Sequence, residues 1–392
     1  MKRRAILFLS ILTISVMARA EEPKGFRVRQ VPIRLIDEQG QPVVGADVGF
    51  RASAGSRFEE MAKSEGTQWA YQSHRRSDAN GMVSVDDRRI HGQFSIIARH
   101  EQRKISAIIG HVDPDKTKLP IVLTLRPEQV IIGRAHCPEI GDDVKMLVVL
   151  VSIDGNKLLT TVRDSTDFEL ALPPGKYELR AYGLNTRGLN TYLTQQMIEV
   201  TTDKNPMRLE PITLKANLLA LLEGQPAPEI PDVVVWKNSP ALKLADLRGK
   251  CVIVDFWGYW CSACVNGMPK MFALYDEYHD QGLEVIGVHV DLGENEETPV
   301  TTVAELDKRL AQIRKEKWSG RDVPYPTALV LGTPTPYGEA TENKAQGAAA
   351  AAYGVIGYPT YILIDRAGRV VGQFNPNDEG IKLLKQKLAE NN

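Results

Sequence analysis

The chain has 392 residues, a formal net charge of −1, and 43% hydrophobic and 25% charged residues. This is an ordinary globular composition with room for two to four domains. It has no basic excess of the kind that binds nucleic acid. The first twenty residues stand apart. Lys2, Arg3 and Arg4 precede an apolar run from Ala5 to Met17, and Ala18-Arg19-Ala20 fits a small-residue cleavage site. The pattern predicts a secretory signal peptide over residues 1–20, with the mature chain starting near Glu21. The run is too short for a bilayer anchor, and no cysteine follows it as a lipid attachment point. No later segment reads as a membrane helix, so no span is expected after cleavage. Export places a protein where disulfides persist. Yet only four cysteines are present, Cys137, Cys251, Cys261 and Cys264, too few for a disulfide scaffold of this size.

From Arg27 to Leu125 the sequence predicts short strands joined by turns. "VPIRLIDEQGQPVVGADVGF" reads as strand, turn at Glu38-Gln39-Gly40, strand. "SDANGMVSV" repeats the device, with Asn80-Gly81 as a hairpin signal. "QFSIIARH" and "LPIVLTL" alternate as strands do, whereas Arg51 to Arg76 is polar and irregular and reads as a long loop. A second unit runs from Gln129 to Leu214. "KMLVVLVSIDGNKLLTTV" predicts a hairpin around Asp154-Gly155, and "FELALPPGKYELRAYG" predicts strand, a Pro173-Pro174-Gly175 turn, strand. On "DEQGQPVVGADV", "SDANG" and "LPPGKYELRAYG", both units resemble the carboxypeptidase-regulatory-like, transthyretin-type β-sandwich. That resemblance implies a fold and nothing specific about a ligand.

"NLLALLEGQPAPEIPDV", Asn217 to Val233, changes texture and reads as a linker or lead-in segment with three prolines. Strands and helices alternate after it. "KCVIVDFW" is an apolar run suited to a buried central strand. A helix is predicted from Cys261 to about Asp280, a second buried strand over "LEVIGVHV", and a helix with a charged face from Val300 to Lys317. "PTYILID" and "RVVGQF" predict a hairpin across Arg366-Ala367-Gly368, and "EGIKLLKQKLAE" a closing amphipathic helix. The expected architecture is multidomain: two N-terminal all-β sandwich domains, 21–127 and 128–215, then an α/β domain over 216–392.

Within that last domain, Cys261 and Cys264 are separated by two residues. A thiol exchanges only as a thiolate, and a cysteine at a helix N-terminus is helped by free backbone N–H groups and the positive end of the dipole. Cys261 falls there, and Cys264 lies one turn on, on the same face. Cys261 is therefore expected to be the exposed nucleophile and Cys264 the buried resolving thiol. A zinc site needs two further ligands, and no second Cys-x-x-Cys exists. A staple closing so short a loop constrains the unfolded chain little. No metal and no cofactor are expected. Asp255, six before Cys261 on a buried strand, is expected to have a raised pKa and to exchange the proton of Cys264. A strand-end acid bonded to backbone or solvent is the alternative. Pro269 falls inside the helix and is expected to kink it, and Tyr358-Pro359 precedes a strand in a setting that suits a tight turn with a cis bond, an ordinary trans proline being the alternative. Trp260 is expected to be exposed and able to touch a partner, with Trp257 packed beneath the turn. Cys137 and Cys251 read as buried small hydrophobes, and His289 as a core or strand-end histidine.

Trp260-Cys261-Ser262-Ala263-Cys264, Asp255, Pro269 and Pro359 together resemble the thioredoxin fold. "GQPAPEI", "LADLRGKCVIVDFWGYWCSAC" and "YGVIGYPTYILIDRAGRVVGQF" narrow the resemblance to the TlpA/ResA-like thiol–disulfide oxidoreductases exported by bacteria. It covers about Gly224 to Asn392. It implies that a cis-proline loop packs against the active disulfide, with Tyr358 and Pro359 contacting substrate. It also implies a protein disulfide as substrate, a membrane thiol-transfer protein as electron donor, and a periplasmic location. Three departures from the family stand out. Ser262-Ala263 replaces a dipeptide that usually ends in proline, a residue associated with reducing members. Gly267 stands where relatives often carry a glutamate, which leaves the proton role to Asp255. The stretch from "DLGENEETPV" to "ENKAQGAAAAA" is longer than a crossover needs, and Ser319 to Lys344 is expected to rim the site or to be surface elaboration. The peroxide-reducing relatives need a threonine or serine three before a single peroxidatic cysteine. Gly258 and Cys261 occupy those positions here, so peroxidase activity is not expected. The expected activity is protein disulfide reduction. Its rivals are a disulfide oxidase or isomerase of the same fold, and a cell-surface binding protein with an accessory thioredoxin domain.

Overall fold

A computed structural model describes residues 29–52, 66–69, 73–87, 94–113, 116–141, 144–153, 156–203, 206–292, 299–338 and 344–390. Residues 1–20, predicted as a signal peptide, and the Asp154-Gly155 tip lie outside the described residues.

The N-terminal half is built of strands. One sheet sets Arg29–Ile36 between Met82–Asp87 and Ile121–Thr124. Another runs Ser73–Arg76, Asp47–Ala52, Phe94–His100, Ile105–Val112 and Arg126–Pro127. The two share one apolar core, with Val31, Ile33 and Leu35 from the first sheet and Val48, Ile96 and Ala98 from the second. A second core, with Leu147, Val149, Leu170, Leu179 and Ile198, joins two further sheets. One of these centres on Gln129–His136, beside Asp167–Leu172. The other runs Thr194–Val200, Gly175–Leu184, Met146–Ile153, Asn156–Arg163 and Gly66–Trp69.

Turn chemistry in this half is as expected, but much of the strand pairing is not. Asp78 Oδ1 accepts the N–H groups of Asn80 and Met82, and Gly81 takes φ +71. A Cβ on Gly81 would lie 2.4 Å from the Leu35 carbonyl oxygen, so only glycine fits. Yet Asn80-Gly81 does not close a hairpin. Ser73–Arg76 pairs with Asp47–Ala52, while Met82–Asp87 pairs with Arg29–Ile36 in the other sheet. Pro173-Pro174-Gly175 likewise passes the chain between sheets. The stretch Arg51 to Arg76 is not one loop. Gly66–Trp69 and Ser73–Arg76 are strands, and Gly66–Trp69 extends the sheet of the following unit at Asn156–Arg163. The Met146–Ile153 and Asn156–Arg163 strands pair as the predicted hairpin requires.

The C-terminal domain holds one six-stranded sheet. Its strands are β1 (Val233–Lys237), β2 (Cys251–Trp257), β3 (Leu283–Asp291), β4 (Thr327–Leu331), β5 (Thr360–Ile364) and β6 (Val370–Phe374). Their order is β1-β4-β3-β2-β5-β6. β2, β3 and β4 are parallel, and the outer strands are antiparallel. The helices are α1 (Leu218–Leu222), α2 (Ser262–Tyr278), α3 (Val303–Lys317), α4 (Ala348–Tyr353) and α5 (Asp378–Ala389). β2 and β3 are buried along their whole length, as their unbroken apolar runs demand. Cys251, Ile253 and Trp257 face the core shared with α2 and α3, while Val252, Val254 and Phe256 face that of α1 and α4. This is the thioredoxin-type arrangement the sequence predicts. Among the described residues no helix is long and apolar enough to cross a membrane.

Two segments differ from expectation. Asn217 to Val233 is no free linker: it contains α1, whose Leu219 and Ala220 are buried, and Glu223 and Pro226 bridge to Val370 and Arg369. Ser319 to Lys344 is no mere rim: it buries Val323 and Tyr325 and supplies β4, an interior strand. Its Pro and Gly content hid a five-residue apolar strand.

Candidate functional site

The site forms where β2 ends and α2 begins. Cys261 is the N-cap of α2, in extended backbone, and its Sγ accepts the N–H of Cys264 at 3.1 Å. Cys261 and Cys264 are joined as a disulfide, with Cα atoms 5.2 Å apart. Cys261 keeps 8% of its surface exposed and Cys264 only 1%. Cys261 is thus buried rather than exposed as expected, though less deeply than Cys264, and it sits where helix N–H groups favour a thiolate. Pro269 lies within α2 and cannot donate to the Val265 carbonyl one turn earlier. Trp318 Nε1 supplies that bond instead, at 2.8 Å. The helix therefore continues through the proline and carries Met268, Met271 and Phe272 into the core.

Asp255 is fully buried on β2, on the α2 side. Its Oδ2 accepts from the Tyr325 hydroxyl at 3.2 Å, and its Oδ1 finds no protein partner among the described residues. Burial pushes its carboxyl up from 3.8 to about 7, against a smaller lowering by the Tyr325 bond. A carboxyl poised there exchanges protons near neutrality. The expectation of a buried, raised carboxyl holds, and Tyr325 is the partner that sequence reasoning missed. It lies 70 residues away in the stretch read as a rim, and no local pattern links the two.

Tyr361, the cross-strand neighbour of Asp255, extends to α2. A Cβ on Gly267 would lie 3.1 Å from the Tyr361 hydroxyl, so the phenol occupies the space a side chain at 267 would need. Both tyrosines are held neutral, chiefly by burial, with the Asp255 charge adding to it.

The turn before Cys261 rests on His289. Its Nε2 accepts the Tyr259 N–H at 3.4 Å, and its ring stacks on Tyr259 at 5.6 Å and meets Trp257 edge-on at 5.0 Å. Burial pushes its pKa down to about 3, so it stays neutral. It is a core histidine, and Trp257 is fully buried beside it. Trp260 is less free than expected. Its Nε1 donates to the Val290 carbonyl at 2.9 Å, and the ring folds over Gly258, half-buried. Its other neighbour is Tyr358, edge-on at 5.3 Å, so the cysteine turn and the proline loop meet through these rings. The Tyr358–Pro359 peptide is cis. Ile356, in the same loop, is 63% exposed. Cys137 and Cys251 are free, buried in different cores, and raised to about 11 chiefly by desolvation.

Comparisons with known proteins match this domain. The family model described as "AhpC/TSA family" matches residues 224–373. The thiol–disulfide oxidoreductase ResA of Bacillus thuringiensis strain Al Hakam is 31% identical over 150 residues, covering 38% of this chain and 68% of the relative. ResA of Bacillus thuringiensis subsp. konkukian is 31% identical over 148 residues, and the chain spans 66% of its length, just under two thirds. A thiol-disulfide isomerase structure from Corynebacterium glutamicum is 27% identical, with a TM-score of 0.31, covering 42% of this chain and 98% of that one.

Proposed function

The chain belongs to the ResA thiol–disulfide oxidoreductase family, and from that premise we propose that it is an exported enzyme that reduces protein disulfides through Cys261 and Cys264. The observations that carry the reading are the Cys261–Cys264 disulfide at the start of α2 and, on the strand that leads into it, a buried Asp255 raised to about 7.

In the proposed cycle the Cys261 thiolate attacks one sulfur of a substrate disulfide. That bond breaks, one substrate sulfur leaves as a thiolate, and a mixed disulfide remains. Asp255 takes the proton of Cys264. The Cys264 thiolate then attacks the Cys261 sulfur, releasing the second substrate thiolate and forming the Cys261–Cys264 disulfide. Two electrons have passed from the enzyme to the substrate. A membrane thiol-transfer protein restores the dithiol by the reverse exchange. Trp260, Tyr358 and Pro359 form the surface against which the substrate chain lies. Residues 21–127 and 128–215 are proposed as two β-sandwich units that hold this domain at a distance or dock a partner, and the leader over 1–20 directs the protein to the periplasm. The Ser262-Ala263 dipeptide keeps a second direction in view, disulfide oxidation by the same pair.

The test is turnover of a peptide disulfide by the full chain and by Cys261→Ser and Cys264→Ser variants. The reading requires loss of turnover in both, with a stable mixed disulfide trapped by Cys264→Ser. Undiminished turnover in either sinks it, and a double variant that keeps a cell-surface ligand would favour a binding protein.

A further inference from the structure

The proline loop does not stand on the α/β domain alone. It leaves α4 at Gly354, which takes φ +67, and ends in β5 after Pro359. Leu218 of α1 presses against Gly354: a Cβ there would lie 2.9 Å from the Leu218 Cβ and 3.6 Å from the Tyr337 ring. α1 is a five-residue helix, far too short to hold itself together. Beyond its buried Leu219 and Ala220, its support comes from the segment between the Gly175–Leu184 and Thr194–Val200 strands of the second β unit. The Tyr192 hydroxyl accepts the Leu218 N–H at 3.2 Å, and its ring lies 6.3 Å from that of Tyr337. Asn217, the N-cap of α1, donates through Nδ2 to the Leu189 carbonyl at 2.6 Å and through its backbone to Asn190 at 3.0 Å. A second grip ties the same segment to the C-cap of α1, where Arg187 donates to Glu223, and to the residue after β6, where Asn375 Nδ2 donates to the Arg187 carbonyl at 2.8 Å. Tyr192, Leu218, Tyr337 and Tyr358 all pack on one apolar cluster.

We propose that the second β unit positions the substrate-contacting loop, with Tyr192 as the positioning residue that holds α1 against Gly354. The inference rests on the substrate-contacting role proposed above for Tyr358 and Pro359. A loop of six residues pinned at Gly354 has little freedom at Ile356, Tyr358 and Pro359. Releasing α1 frees the first of its two anchors, leaving the cysteines and Asp255 in place. The β unit then acts on substrate capture and not on the intrinsic chemistry of the pair.

The experiment compares the full chain with Tyr192→Ala and Tyr192→Phe, using a chromogenic peptide disulfide. Tyr192→Ala is expected to raise KM by roughly 2- to 30-fold, the span typical of residues coupled to a site through packing. The reduction potential of the Cys261–Cys264 pair and the pH midpoint of kcat are expected to stay unchanged. Tyr192→Phe keeps the ring and loses the hydroxyl that bonds Leu218 and Tyr337, so it is expected to give a smaller rise of the same sign. An unchanged KM in a folded Tyr192→Ala protein overturns the proposal, as does a KM rise matched by a shift in potential. If the alanine variant does not fold, the phenylalanine variant decides on the same criterion. Absence of turnover in the unaltered protein would instead overturn the reductase reading itself.

Discussion

The two faces of β2 are buried alike and built differently. On the α4 side Val252, Val254 and Phe256 meet Ile286, Val288, Ile362 and Tyr353, an apolar layer in which Phe256 and Tyr353 lie 5.7 Å apart. On the α2 side the same strand offers Asp255 and Trp257, flanked by His289 and Thr327. Asp255 Oδ1, Trp257 Nε1 and His289 Nδ1 have no protein partner among the described residues. Buried polar groups left this way cost stability. Burial therefore does not distinguish the faces, but unmet polarity does. Both faces bury apolar side chains, but only the α2 face also carries these unpartnered polar groups, at a cost that the apolar burial offsets.

Substitutions can break that contrast in order of size. Cys261→Ser, at the edge of the polar face, is expected to abolish turnover of a peptide disulfide while leaving the denaturation midpoint close to that of the reduced protein. Phe256→Ala, on the apolar face, is expected to cost about 3–5 kcal/mol in denaturant unfolding without altering the potential of the pair. A loss below about 1 kcal/mol would mean that this layer adds little to stability.

Asp255→Asn should act in the opposite direction on stability, and its pH dependence identifies the cause. The folded carboxyl titrates near 7 and the unfolded one near 3.8. Between those values the folded chain holds a proton that the unfolded chain has lost. Asp255 therefore weakens the fold progressively as pH rises through this window, and the weakening is complete above about 7. In the oxidised protein, Asp255→Asn is expected to change little at pH 4 and to stabilise by up to about 4 kcal/mol at pH 8. An equal effect at both pH values would show that the carboxyl is not raised. The smallest effect is expected for Tyr325→Phe. Removing the donor to Asp255 costs about 1 kcal/mol and moves the pH midpoint of turnover upward by less than about one unit. A downward shift would contradict the assigned hydrogen bond.

What the sequence made legible follows the same division. The apolar runs of β2 and β3, the cysteine spacing and the turn at Arg366-Ala367-Gly368 are local signals, and the α/β domain could be read from them. Asp255 was legible because it interrupts a run that must be buried. Tyr325 was not, since its bond to Asp255 depends on a strand order that brings β4 beside β3, and β4 itself was hidden among Pro and Gly. In the β half, Asn80-Gly81 marked a true turn but not its pairing, because pairing there is settled by which strands share a core. Ile105–Val112 passed unnoticed beside the polar segment that precedes it, and Gly66–Trp69 could be placed only by its distant partner at Leu159.

The measurement that bears most directly on the central claim is the equilibrium reduction potential of the Cys261–Cys264 pair, titrated against dithiothreitol or glutathione with alkylation to count thiols. The account predicts a value at or below about −250 mV, on the thioredoxin side of the glutathione couples. A value near about −120 mV would make the protein an oxidant and reverse the direction of the cycle, and a pair that never forms its disulfide would contradict the redox function altogether.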